Sequence, residues 1–294
     1  MTARARWEEG VAVRRMIGDP LLSTALSYLG QVAREQEDYA SAQTWLEESL
    51  ALSEAAGDQR DSARTLDRLG TIAHALGDYS LARSRYEQSL ALARQVSFHN
   101  ETLWSLHNLG CLALDQGDLP EARESLAQGL TSRVDEDKIG FVHRLAEFAC
   151  LAAAEGLPAA AVRLAGASAA LIQQTGIALQ HSERGRYERW LATARQALGD
   201  AAAAIAWAEG QQMRLDQAIA HAVAPHELEI GGEPVEPQPD RGSSTLTQRQ
   251  REVAVLIARG RSNRQIGEEL VITERTVAAH IEHILDKPNC SAVT

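Results

Sequence analysis

The chain has 294 residues, of which 45% are hydrophobic and 23% are charged, so disorder of the whole chain is disfavoured. Aromatic residues make up only 4%, which makes it a poor candidate for reading single-stranded nucleic acid by base stacking. The formal net charge of −11 argues, for the chain taken as a whole, against a nucleic-acid binder, because Lys and Arg supply most of the affinity for phosphates.

The cysteines and the hydropathy pattern favour a cytoplasmic protein without membrane association. Cys111, Cys150 and Cys290 form no Cys-x-x-Cys pair, so neither a disulfide framework nor a zinc module is predicted. Cys111 and Cys150 are expected to be buried small hydrophobes. The N-terminus has no apolar signal-peptide core, and the longest apolar run, residues 201–208, is far shorter than a membrane span.

Three segments of the N-terminal half repeat with a period of 40 residues. Gly30, Gly70 and Gly110 mark the register. Four further positions keep it: Ala33, Ala73 and Ala113; Asp38, Asp78 and Asp118; Ala42, Ala82 and Ala122; Leu50, Leu90 and Leu130. Each unit is interpreted as two amphipathic helices joined by a turn, with small residues where the backbones approach. Because neither helix buries its apolar stripe alone, stacking into a right-handed superhelix with a concave surface is predicted.

The Leu-Gly, Gly-Asp-Tyr, Ala and Leu positions resemble the tetratricopeptide repeat, whose usual period is about 34 residues. Residues 7–19 are similar to the second helix of a unit, so residues 1–131 are assigned to repeats of which the first is partial. Residues 132–223 are assigned to a degenerate repeat and further helices, with 148–172 as a shortened fourth unit. A protein or peptide partner on the concave surface is the expected role, and a rigid spacer is the alternative.

A linker is predicted at residues 224–245. This stretch holds four of the chain's eight prolines. Proline and glycine at that density end a helix, so the segment that follows, residues 246–294, is expected to be tethered to the repeats and not packed rigidly onto them.

The last segment predicts a helix, a short helix, a turn and a longer helix. Thr247 with Gln250 and Ser262 with Gln265 form capping boxes that begin the first two helices, and Thr273 caps the third. The residues predicted to face inward are Val253, Leu256, Ile257, Ile266, Leu270, Val277, Ile281, Ile284 and Leu285. This order corresponds to the helix-turn-helix, whose second helix enters the major groove of DNA.

The motifs L-T-x-R-x-x-E-V, G-x-S-N-x-x-I and L-x-I-T-x-x-T-V-x-x-H in residues 246–280 resemble the LuxR-type (GerE-like) DNA-binding domain. The resemblance implies a sequence-specific, double-stranded-DNA-binding transcriptional regulator that forms a homodimer on DNA. It places phosphate contacts at Thr247, Arg249, Arg264, Arg275, Thr276 and His283. It places base-edge contacts at Ala278, Ala279 and Glu282, and Thr273 and Val277 complete the expected DNA-contact set.

The chain departs from the family pattern in two places. Ala278 and Glu282 stand where family members often carry cations, so neither position offers an Arg or Lys to guanine. After Lys287 the sequence PNCSAVT replaces the expected Leu-Gly and the fourth helix that supports dimerisation in the family. The alternative function is therefore a tetratricopeptide-type interaction scaffold with a vestigial or truncated DNA-binding domain.

The order of repeats and DNA-binding domain resembles the C-terminal part of the large ATP-binding LuxR-family regulators. No Gly-x-x-x-x-Gly-Lys-[Ser/Thr] loop occurs, so their ATPase domain is expected to be absent from this chain. Without an HExxH, a GxSxG or a recognisable Cys-His arrangement, no enzymatic activity, cofactor or metal site is expected. The predicted fold class is all-α, a tetratricopeptide-like superhelix followed by a small three- to four-helix helix-turn-helix domain.

The negative charge belongs to the repeats. Residues 243–287 hold seven basic and six acidic residues, whereas the preceding part of the chain holds 22 basic and 34 acidic residues. The acidity of the whole chain therefore does not exclude DNA binding. Because residues 243–287 are nearly neutral, this segment is expected to bind DNA weakly as a monomer.

Overall fold

The computed structural model of the protein describes residues 3–130, 138–179, 181–224 and 261–270, together with Val253, Ala254, Leu256, Ile257, Arg259 and Ile281. The chain divides into two compact units, of which the first includes residues 1–75 and 79–237 and the second includes residues 238–294. The described residues form helices and turns without a strand, so the all-α prediction is confirmed. No helix within these ranges has the length and apolar character that a membrane crossing requires.

The described part of the first unit contains twelve helices. They are α1 (Ala3–Ile17), α2 (Leu22–Glu35), α3 (Tyr39–Ala56), α4 (Gln59–Ala75), α5 (Tyr79–Gln95), α6 (His99–Asp115), α7 (Leu119–Leu130), α8 (Lys138–Ala154), α9 (Pro158–Thr175), α10 (His181–Leu198), α11 (Asp200–Gln212) and α12 (Leu215–Val223). The pairs α2 with α3, α4 with α5, α6 with α7 and α8 with α9 pack extensively, and each pair packs on the next.

Small residues at the 40-residue spacing allow the two helices of a pair to cross closely. A Cβ atom at Gly110 would lie 2.6 Å from Cγ of Leu126, and one at Gly70 would lie 2.6 Å from the ring of Tyr86. Ala82 and Ala122 are completely buried at the same crossings. The large side chain of the second helix fills the space that the glycine leaves open, as close packing of a protein interior requires. The predicted role of these small residues is confirmed.

The turn inside each pair has a repeated construction. Gly77 and Gly117 adopt left-handed backbone with φ of +80° and +77°, which glycine allows without strain. An aspartate follows each turn. The Asp38 carboxylate accepts a hydrogen bond from the backbone N–H of Ser41 at 3.2 Å, and that of Asp118 accepts one from Glu121 at 3.1 Å. These aspartates therefore cap the second helix of the pair.

The fourth pair is not shortened, and that expectation was wrong. Helices α8 and α9 have 17 and 18 residues, against 17 in both α4 and α5. The repeat pattern weakens because the fourth pair is displaced by one residue from the 40-residue register. Gly156, which has a φ of +75° like the turn glycines Gly77 and Gly117, follows Gly117 by 39 residues. A Cβ atom at Gly166 would lie 2.4 Å from the backbone oxygen of Trp207, so this glycine serves the contact of α9 with α11.

In the second unit, the described residues form the predicted start of a helix-turn-helix core. Val253, Leu256 and Ile266 are buried together, and Ile257 and Ile281 pack against them. Helix α13 (Asn263–Leu270) begins with the predicted capping box. The backbone N–H of Ser262 donates to Oε1 of Gln265 at 3.0 Å, and the backbone N–H of Gln265 donates to Oγ of Ser262 at 3.4 Å. The Thr247–Gln250 box lies outside the described residues.

Candidate functional site

A cavity of about 560 Å³ opens in the first unit on the side formed by the first helices of successive pairs. We call it the repeat cavity. Helices α2, α4, α6 and α10 line most of it. The charged and aromatic residues of its wall include Arg34, Arg64, Asp67, Arg68, His74, Glu101, Trp104, Asp115, Glu183 and Arg186. Its volume is in the range of small-molecule pockets, and its wall suits a polar ligand.

Two acidic residues of the wall are almost completely buried. Asp67 on α4 accepts hydrogen bonds from Nδ2 of Asn108 on α6 at 3.1 and 2.9 Å. Burial raises the pKa of Asp67 to about 6, against the opposing effect of Asn108. Burial, and then the charge of Asp67, raise the pKa of Glu101 to about 8. This part of the wall therefore retains a proton at neutral pH that an exposed carboxyl group would lose.

A second polar group on the wall joins four helices through Arg186 of α10. One guanidinium nitrogen of Arg186 donates to Oδ2 of Asp115 at 2.9 Å, and another donates to Oε1 of Glu147 at 2.6 Å. Nε2 of His74 also lies 2.9 Å from Oδ2 of Asp115. Burial by itself would raise the pKa of Asp115, but Arg186 and His74 together lower it below its ordinary value. Helices α4, α6, α8 and α10 are thereby joined by a network of polar contacts in which Glu147 is buried and Arg186 is partly buried.

Two histidines face one carboxylate beside this group. Nδ1 of His143 lies 2.6 Å from Oε2 of Glu183, and Nε2 of His107 lies 3.5 Å from Oε1 of the same residue. Burial opposes ionisation of Glu183, but the two histidines lower its pKa below its ordinary range. Glu183 therefore remains a carboxylate although it is largely withdrawn from water.

Three of the buried residues have the chemistry of metal ligands. His107, Cys111 and Glu147 each place one donor atom within 4.8 Å of the others. Cys111 and Cys150 are both free thiols, and both are buried, as their sequence context predicts. Burial raises the pKa of the Cys111 thiol well above its ordinary value, so Cys111 is a neutral thiol when no metal ion is bound to it.

The sequence contained a signal for these residues that apolar patterning alone does not reveal. Ser27, Asp67, His107 and Glu147 follow one another at the 40-residue period, and all four are buried on the first helices of their pairs. A polar residue recurring at a position whose neighbours are apolar indicates a row of polar contacts along the inner side of the stack. Trp104 packs on His107 and His143 and also lines the cavity.

Among the predicted DNA-contact residues, Arg264 falls in the described part of the chain. It lies on α13, two residues after the capping Ser262, and its side chain is exposed. The other members of the set lie outside the described residues: Thr247, Arg249, Thr273, Arg275, Thr276, Val277, Ala278, Ala279, Glu282 and His283. The phosphate-contact role of Arg264 stays a prediction.

Comparison with known families agrees with both units. Residues 21–95 and 61–133 match the tetratricopeptide repeat, and residues 244–293 match the bacterial regulatory proteins of the luxR family. Putative HTH-type transcriptional regulators of Mycobacterium bovis and Mycobacterium tuberculosis are 36% identical over 137 residues, which cover 47% of this chain and 15% of each relative. The transcriptional regulatory protein LiaR of Bacillus subtilis is 51% identical over 47 residues, 16% of this chain and 22% of that protein.

The matched region spans only about 15% of the length of the mycobacterial relatives. The two family matches cover different parts of the chain, in the order that the sequence motifs predict. The protein therefore carries tetratricopeptide repeats followed by a C-terminal domain of the LuxR family of bacterial regulatory proteins.

Proposed function

We propose that this protein regulates transcription by binding double-stranded DNA through residues 246–294. The observation that carries the proposal is the match of residues 244–293 to the luxR family, together with the names of the relatives as transcriptional regulators. The capping box at Ser262 and the buried residues Val253, Leu256 and Ile266 support it, because they are the local features that a helix-turn-helix needs to form.

The proposed DNA contacts divide into two groups. Arg264 and Arg275 hold phosphates, while Ala278, Ala279 and Glu282 of the third helix meet base edges in the major groove. Alanine offers contact to a thymine methyl group and glutamate accepts a hydrogen bond from cytosine. Because residues 243–287 have only one net positive charge, binding is expected to depend on homodimerisation and to weaken steeply with salt.

Fluorescence anisotropy of the full chain with a labelled duplex of mixed sequence tests this proposal. Wild-type protein is expected to bind at low ionic strength, with affinity falling as salt rises. Arg264→Ala combined with Arg275→Ala should lower the affinity for all duplexes and reduce the salt slope by about one for each phosphate that an arginine no longer holds. Arg163→Ala in the first unit is the matched control. Absence of salt-sensitive binding by the wild-type chain would contradict the proposal.

We further propose that the repeat cavity binds the partner or signal that controls the regulator. The support is its volume of about 560 Å³ and a wall of charged side chains on the first helices of the pairs. A second candidate function, an interaction scaffold without DNA binding, is favoured by the absence of Arg and Lys at residues 278 and 282. Removal of residues 246–294 separates the two candidates. Partner capture should persist in both cases, and regulation of a reporter gene should be lost only if the protein acts on DNA.

A further inference from the structure

A buried group of nitrogen, sulfur and oxygen donors lies where α6 and α8 pack together. His107 and Cys111 are one turn apart on the same side of α6, with Nε2 of His107 3.6 Å from Sγ of Cys111. Glu147 of α8 completes the group, and the three donor atoms lie within 4.8 Å of one another. His107 and Glu147 are each 1% exposed, and Cys111 is 4% exposed. Ligands that surround one ion must converge in this way.

Two polar atoms of this group have no hydrogen-bond partner among the described residues, although both are buried. They are Oε2 of Glu147 and Nδ1 of His107. The other carboxylate oxygen of Glu147 is already held by Arg186 at 2.6 Å, so the carboxylate is fixed with one oxygen available. A buried acceptor without a partner destabilises the folded protein, and a bound cation would give Oε2 of Glu147 the partner that it lacks.

The surrounding charges favour a cation. Asp115, Glu147 and Glu183 bring three carboxylates to this region, whereas Arg186 brings one guanidinium that pairs with both Asp115 and Glu147. Among these four residues the negative charges are therefore in excess. A divalent cation would offset that excess beside Glu147, which is withdrawn from water.

The donor set selects the class of metal. Ca²⁺ and Mg²⁺ prefer oxygen ligands alone, whereas Zn²⁺ is bound by thiolate, imidazole and carboxylate together. Three protein ligands leave a fourth position, which water or the Glu183 carboxylate could fill. Oε1 of Glu183 lies 3.5 Å from Nε2 of His107. Cys111 and Glu183 both line the repeat cavity, so an ion has a path from solvent.

We propose that His107, Cys111 and Glu147 form a binding site for one Zn²⁺-class divalent transition-metal ion between the third and fourth helix pairs. The Cys111 thiol releases its proton to solvent as its sulfur bonds to the metal, and no oxidation or reduction accompanies the step. The ion would join α6 to α8 from within the wall of the repeat cavity.

Metal binding by the full chain tests the site directly. After removal of metal with a chelator, the wild-type protein is titrated with Co²⁺ alone, and thiolate ligation is read from the sulfur-to-cobalt charge-transfer band. One equivalent of Co²⁺ should produce the band, and Zn²⁺ should displace it. Cys111→Ser should abolish the band, and Glu147→Gln should weaken Zn²⁺ affinity by about tenfold or more in equilibrium dialysis. Cys150→Ser is the matched control, because Cys150 is equally buried on α8 but lies outside the donor group.

A second measurement does not depend on variants that fold poorly. X-ray absorption of the wild-type protein loaded with one equivalent of Zn²⁺ should show one sulfur ligand at about 2.3 Å together with nitrogen or oxygen ligands near 2.0 Å. A zinc shell without sulfur, the absence of a charge-transfer band in the wild type, or a band that survives Cys111→Ser would each overturn the proposal.

Discussion

Oγ of Ser168 donates a hydrogen bond to the backbone oxygen of Val142 at 3.0 Å, joining the second helix of the fourth pair to the first. Ser49 makes the same contact with Ser23, and Ser89 makes it with Ala63, each at 2.7 Å and each across 26 residues. The fourth pair therefore has the geometry of the first two, although its sequence has lost most of the repeat pattern. Helix pairs in this protein keep their crossing geometry while their core residues change.

The approach of α9 to α11 depends on two glycines. A Cβ atom at Gly210 would lie 1.9 Å from the backbone oxygen of Arg163, a distance that side-chain rotation cannot relieve. Gly210→Ala should therefore lower the free energy of unfolding by about 1–3 kcal/mol, measured by denaturant titration. Gly10→Ala is the control, because nothing lies within 4 Å of its Cβ position on α1. That variant should be neutral or up to about 1 kcal/mol more stable, and equal effects at both sites would contradict the close approach.

Removal of Arg186 should be far more damaging than removal of Arg163, whose ion-pair partner is exposed. Arg186→Met leaves the buried Glu147 without its cation and also removes one partner of the more exposed Asp115, and we expect a loss of about 3–5 kcal/mol in unfolding free energy, mostly from Glu147. Arg163→Met breaks an ion pair with the half-exposed Glu209 at 2.8 Å and should cost less than about 1 kcal/mol. Thermal and denaturant unfolding of both variants measures the difference. A small effect of Arg186→Met would mean that another group pairs with the Glu147 carboxylate in the variant.

The buried acids of the cavity wall make stability depend on pH. The folded-state pKa values of Glu101 and Asp67 are raised to about 8 and about 6, above ordinary values of 4.5 and 3.8. Between the ordinary and raised values the folded chain holds protons that the unfolded chain has lost, so the free energy of unfolding falls as pH rises. This contribution is fully present below about pH 4 and is lost by about pH 8.

Glu101→Gln should therefore flatten the fall in stability between about pH 5 and about pH 8. The measurement is denaturant unfolding of wild type and variant across this range. Glu87→Gln, a change of an exposed glutamate on α5, serves as control and should leave the pH profile unchanged. A Glu101→Gln profile as steep as that of the wild type would show that Glu101 is ionised in the folded protein.

The capping box of α13 should control local opening of the second unit. Ser262→Ala removes the hydroxyl that accepts from the backbone of Gln265, and loss of such a cap costs about 1 kcal/mol. Hydrogen exchange followed by mass spectrometry should then show about fivefold lower protection of the peptide spanning residues 261–270. Asn263→Ala, a change of the next exposed residue, should leave protection near the wild-type value. Similar protection in both variants would mean that the hydroxyl does not stabilise this helix.

The period and the packing of the repeats could be predicted from the sequence because they depend on spacing. Gly70 and Gly110 are recognisable from their register alone, and the structure places each against the large residue 16 positions later. The fourth pair was harder to predict, because it is displaced by one residue from the 40-residue register: its turn glycine, Gly156, follows Gly117 by 39 residues.

The polar group around Arg186 could not be predicted in the same way. Its members come from four helices separated by about 40 residues each, and every one of them is an ordinary residue type in its own segment. Only the stacking of the pairs brings Asp115, Glu147 and Arg186 within hydrogen-bond distance. For the second unit the reverse holds, since the capping box and Ile266 are local features that the sequence motif specifies completely.

The polar row formed by Ser27, Asp67, His107 and Glu147 gives the repeats a fixed order. Excision of residues 79–118, one full period, would remove α5 and α6 and join α4 to α7 as a new helix pair. The excision would remove Asn108, which donates to the Asp67 carboxylate. Helix α8 would follow α4 as the next first helix, which would bring Glu147 beside Asp67. Two buried carboxylates would then lie on neighbouring helices, and Asp67 would have lost the Asn108 donor. The units are therefore alike in backbone but not interchangeable, and the array cannot lose a unit by in-frame recombination without a compensating change of charge.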